Sequence, residues 1–146
     1  MTSSESDISR DTMAAKCIAA EKWLSKVADN LHPIMNYLDY GRKRPIDKAR
    51  IKIAILDTGY DPSSEYIQAY LHQGRRTRVR EYKDFFEACD HIEPRDMSGH
   101  GTHGLGLLLR MTPHAEIFVA RVGDSSTNVN ADAVEEVGDR IRLHFG

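Results

Sequence analysis

The sequence predicts an α/β fold, with a parallel sheet flanked by helices and preceded by a helical N-terminal segment. Three observations carry this. Residues 20–31 repeat apolar side chains at helical spacing, ahead of a basic, turn-like stretch. The runs at 51–56 and 116–122 are short and mostly apolar, as buried strands are. Patterns of helical period separate the strand-like runs, and strands alternating with helices imply a parallel sheet covered on both faces.

In the N-terminal segment Ala20, Trp23, Leu24, Val27, Ala28 and Leu31 form one apolar stripe. Residues 1–9 are polar and expected to fray, with Ser9 or Asp11 capping the helix start. Pro33 is expected to end or kink the helix, which resumes weakly at Ile34, Met35 and Leu38. Gly41-Arg-Lys-Arg-Pro45 reads as a linker, dividing the chain into 1–48 and 49–146. Its three basic residues fit a solvated linker better than a processing site, because exposed charge runs are common.

Beyond the linker, residues 51–56 are expected to form a buried strand. Residues 62–74 follow as a helix with Tyr66, Ile67, Tyr70 and Leu71 on one face, ending near Gly74. Residues 78–85 alternate like a charged strand, 98–111 read as a helix and 116–122 as a strand. Residues 130–145 form a last helix, capped by Asn130, with Val134, Val137, Ile141 and Phe145 on one stripe.

Composition bounds the function classes. The 146 residues leave room for one domain with a modest core, and 40% apolar with 29% charged residues fits a globular chain. A net charge of −2 provides no field to recruit nucleic acid or anionic lipid. Arg75-Arg-Thr-Arg-Val-Arg80 is basic, but its alternation reads as a solvated edge strand, and no aromatic platform accompanies it. Cys17 and Cys89 suggest no disulfide framework and are expected to be free thiols. No apolar stretch approaches the roughly 20 residues of a bilayer span. The polar N-terminus lacks a signal core, so an intracellular location is the expectation.

Two segments carry chemistry. In Ile53-Ala-Ile-Leu-Asp57-Thr58-Gly59 a carboxylate follows an apolar strand, where desolvation costs several kcal/mol unless the charge is paired. Active sites of parallel sheets lie at the carboxyl ends of strands, which points to Asp57. An imidazole N–H is a natural partner, since the aspartate then fixes the tautomer and steadies the imidazolium. The plainer alternative is an aspartate capping the next turn. In Asp96-Met-Ser-Gly99-His100-Gly101-Thr102-His103-Gly104, a histidine starts a helix between two glycines that keep its ring accessible. His103 lies one turn on. With no Glu or Cys nearby the pair is a poor zinc site, so no metal or cofactor is expected and His103 reads as packed and hydrogen-bonded. His32, His72, His91, His114 and His144 stand alone and read as surface or structural residues.

Together the two segments resemble the motifs around the aspartate and histidine of the subtilisin family of serine peptidases, over about residues 50–128. The resemblance implies a partial subtilisin-like sheet, with Asp57 as orienting acid and His100 as general base. It also implies a substrate-lining stretch at Gly123, Asp124 and Ser125, whose backbone would pair with an extended polypeptide substrate. The family's Gly-Thr-Ser nucleophile and its oxyanion asparagine do not occur in residues 1–146, and Ser98 has no evident activation. Either a missing C-terminal half of the domain or a partner is therefore expected to cover the open sheet. The family's His-Pro-Asp-Leu stretch is replaced by Ser63-Ser-Glu-Tyr-Ile67, so no calcium site is expected.

Two rivals stand beside this reading. Asp-Thr-Gly also marks pepsin-like aspartic proteases, but these need a second such motif in an all-β fold. The chain could instead be a non-catalytic, protease-derived interaction module.

Overall fold

The computed structural model describes residues 3–40, 51–73, 76–87, 93–125 and 127–145. It divides into two compact units, Met1–Ile46 and Asp47–Gly146. The described part of the first is one helix, α1 (Ser3–Tyr40). It starts earlier than the polar N-terminus suggests, placing Ser9 and Asp11 inside the helix rather than at a cap. Pro33 does not end it either. A proline forfeits one backbone hydrogen bond, and the helix continues through the defect. Much of the apolar stripe is exposed, with Trp23 at 62% and Leu31 at 39%, while Ala28 is buried. The linker at 41–45 lies outside the described residues.

The second unit is mixed α/β. Its sheet has the order β1 (Lys52–Asp57), β5 (Glu116–Arg121), β4 (Val79–Asp84), all parallel. Helices α2 (Glu65–Leu71) and α3 (His100–Met111) cover one face. There Ile67, Leu105, Leu109 and Ile117 are almost fully buried, each stabilising the fold by about 1.5–3 kcal/mol. Helix α4 (Ala131–Phe145) packs on the other face through Ala133 and Val137 against Ala120 and Val122. The expected doubly covered parallel sheet is therefore present.

Several details differ from expectation. β1 is an edge strand of this sheet and only half-buried, because β5 occupies the centre. α2 is shorter than 62–74. Asp61 accepts from the Ser63 N–H and hydroxyl, at 2.8 and 2.7 Å, which holds the preceding residues in a turn. At its other end the chain leaves the helix at His72 for a hairpin of β2 (His72–Gln73) with β3 (Arg76–Thr77). In α4 the Asn130 side chain accepts from the N–H groups of Asp132 and Ala133, so the expected cap is present. Ala133 faces the core, whereas Val134 of the expected stripe is 39% exposed.

The basic run 75–80 is not simply a solvated edge. Arg78 is 5% exposed, and its guanidinium donates to the carbonyls of Tyr70, Leu109 and Thr112. It thereby satisfies orphan carbonyls where α2 and α3 end. Arg80 is exposed and lies 3.8 Å from Glu116.

At the carboxyl ends of the strands Asp57, Arg121 and Asp84 stand in register across the sheet. The Arg121 and Asp84 side chains are 2% and 1% exposed and lie 2.8 Å apart. Arg121 also reaches Glu87 at 3.3 Å and lies 5.0 Å from the Phe86 ring centroid, while Arg95 joins Asp84 and Glu87. Burial pushes the Asp84 carboxyl up, but the Glu87 backbone N–H and the two guanidinium groups outweigh it, so the net shift is downward. Replacing Arg121 with Ala would leave the buried Asp84 carboxylate without its buried cation, with the half-exposed Arg95 as its remaining ion pair. Urea unfolding of Arg121→Ala should show a loss of about 3 kcal/mol or more.

Candidate active site

The site forms where β1 ends and α3 begins. Asp57 is the last residue of β1, and its carbonyl accepts from the Val122 N–H at 2.9 Å, so the strand end is fixed to the exit of β5. His100 opens α3, with Gly99 at the cap position in a left-handed conformation (φ 79°) that favours glycine. The His100 Nδ1 lies 2.7 Å from Asp57 Oδ1. The same carboxylate oxygen accepts the Thr58 N–H at 2.7 Å. A carboxylate facing Nδ1 can only accept, so the neutral ring carries its proton there and leaves Nε2 with its lone pair outward. The His100 side chain is 69% exposed and that of Asp57 16%.

A second carboxylate sets this geometry. Asp96 Oδ1 accepts from the Thr58 hydroxyl at 2.8 Å, the Gly99 N–H at 2.9 Å and the Ser98 N–H at 3.1 Å. Its Oδ2 accepts from the Thr102 N–H at 2.8 Å and the Thr102 hydroxyl at 2.6 Å. The Thr58 hydroxyl in turn accepts from Gly101 N–H at 3.0 Å and from the Ser98 hydroxyl at 2.9 Å. Thr102 Oγ1 accepts from the Asp61 N–H at 2.9 Å. Burial pushes the Asp96 carboxyl up, but the bonds from Thr102, Thr58 and Gly99 outweigh it and hold it down at about 2. Asp96 thus ties the turn after β1 to the first turn of α3.

The glycines flanking His100 do more than keep its ring open. A Cβ on Gly101 would stand 2.1 Å from the Gly59 carbonyl oxygen, so two backbones touch where any side chain would part them. His103, expected to be packed and hydrogen-bonded, is an exposed ring stacked on Tyr66 at 6.4 Å between centroids. Among the described residues no cluster of three or more ligating side chains could hold a metal. Gly123 and Ser125 lie in β6 (Gly123–Ser125), which pairs with β7 (Asn128–Val129) in a hairpin just past the exit of β5. Ser98 is bound within the Asp96 network and is not aligned as a nucleophile.

Sequence reasoning gives Thr58 only a place in the tight turn after the strand and no role to Asp96 or Thr102. A legible signal was present, since an aspartate two residues before a serine and three before a glycine is a turn and cap pattern.

Two outcomes follow from this geometry. The Asp57 hydrogen bond and charge raise the His100 pKa above 6.5, against a smaller opposing effect of burial. The Asp57 partnership is thus strongest in the charged form, present below pH 6.5 and lost as pH rises through the raised value. NMR titration of Asp57→Asn should find the His100 pKa lowered toward its ordinary value. For Asp96 the sign reverses: its contribution is complete above its unfolded value of 3.8 and is lost as pH falls toward about 2. Asp96→Asn should lose about 1–2 kcal/mol near neutral pH, after allowance for partial exposure, and flatten acid unfolding between those values.

No family model and no solved structure matches the chain significantly. Among curated proteins, the subtilisin-like protease het-Q2 of Podospora anserina is 31% identical over 121 residues, which is 63% of this chain and 33% of that protein. The chain therefore spans about a third of the length of this relative, and the likeness, distant as it is, suggests a protease-related domain.

Proposed function

We propose that residues 49–146 are the acid-and-base part of a subtilisin-like serine endopeptidase domain, with 1–48 as a helical segment and linker ahead of it. The observation that carries this reading is the 2.7 Å contact between His100 Nδ1 and Asp57 Oδ1 at the carboxyl end of a parallel sheet. In the reaction a serine hydroxyl, outside residues 1–146, would give its proton to Nε2 of His100 as the oxygen attacks the substrate carbonyl carbon. Asp57 holds the tautomer and steadies the imidazolium, which then protonates the leaving amine. The edge of β6 not taken by β7 is suited to an extended substrate, with Gly123, Asp124 and Ser125 as the lining residues. Further strands, from the remainder of such a domain or from a partner, would continue the sheet beyond the edge strand β1.

A second reading, a non-catalytic module derived from a protease, is favoured by the exposed apolar side chains of α1. A fluorophosphonate probe separates the two. Applied to the full polypeptide that contains residues 1–146, it should label a serine beyond them. Labelling should fall by roughly 10⁴-fold in Asp57→Asn, the cost of losing the tautomer in serine peptidases, and at least as far in His100→Ala. A full polypeptide that is never labelled, labelling of a serine within 1–146, or labelling indifferent to His100→Ala would each overturn the peptidase proposal.

A further inference from the structure

We infer that α1 pairs with the α1 of a second copy of this chain, as a parallel two-stranded coiled coil in register. The first support is the period. Cys17, Leu24 and Leu31 recur every seven residues, and Ala20, Val27 and Ile34 recur three residues after each of them. These are the a and d positions of consecutive heptads, a 3.5-residue repeat that supercoiling keeps on one seam. The second is exposure. Ile34 is 56% and Leu31 39% exposed, while Leu24 and Val27 are half-buried. An isolated helix cannot cover such a seam on its own, and most helical stability comes from packing the apolar face.

Charge selects a second copy as the occupant. In a parallel pair the g residue of one heptad faces the e residue of the next heptad on the other helix. Lys16 is at g and Glu21 at the following e, so two identical helices create this attractive pair twice. Parallel register also brings Cys17 at an a position opposite Cys17 of the other copy, which provides a covalent reporter.

The test uses the whole chain in reducing buffer. Size-exclusion chromatography with light scattering should give twice the 16.5 kDa chain mass at high micromolar concentration, and Leu24→Glu should return it to one. Lys16→Glu alters only the flank. It should weaken dimerisation by about fivefold, from two small ion pairs turned repulsive, and Lys16→Glu combined with Glu21→Lys should restore it. In a Cys89→Ser background, mild oxidation should join the two copies through Cys17. A monomer at all concentrations would overturn the proposal, as would be found if the same chain or another protein covered the seam. A dimer insensitive to Leu24→Glu and Lys16→Glu, or one in which Cys17 does not cross-link, would overturn it too.

Discussion

The arrangement of the site depends on one carboxylate that takes no part in the proposed chemistry. Asp96 gathers the hydroxyls of Thr58 and Thr102 and the backbone N–H groups of Ser98, Gly99 and Thr102. These donors belong to the turn leaving β1 and to the loop and first turn that open α3. Charge-assisted hydrogen bonds are roughly twice as strong as neutral ones, and here five share one group. His100 and Asp57 lie 43 residues apart in the chain and meet because this knot holds their elements together. The exposed imidazole has little packing to position it, so its placement rests on the backbone beneath it.

Asp96 is itself held by a neighbour. Arg95 bridges Asp84 and Glu87, and Asp84 is shared with the buried Arg121 of the central strand. The loop before α3 is therefore anchored to the same strand ends that carry Asp57. Gly59, with φ at 99°, lies between the two systems: a Cβ there would strike the Arg95 carbonyl oxygen. Electrostatics thus reach from the interior of the sheet to its rim through neighbouring residues.

Much of this was legible in the sequence. The apolar runs around Ile53 and Ile117 announced parallel strands, and Gly-His-Gly singled out His100 because packing alone does not require glycines beside a histidine. What escaped was whatever depends on partners distant in sequence. Arg78 looked like one of several surface arginines, since nothing local says that three carbonyls from two helix ends converge on it. The edge position of β1 follows from strand order, which hydrophobic runs do not encode. α2 ended early because pairing of His72 with Thr77 competes with one more helical turn. At Pro33 an intrinsic preference was overridden, as propensities are weak priors against a long helix.

The contact between Gly59 and Gly101 contains no side chain at all. Neither position can drift by small steps, since even a methyl group on residue 101 would wedge the helix away from the strand tip. Variants that keep Asp57 beside His100 should therefore hold both codons constant and place their changes on the rim, where a new side chain alters shape without moving the two backbones apart.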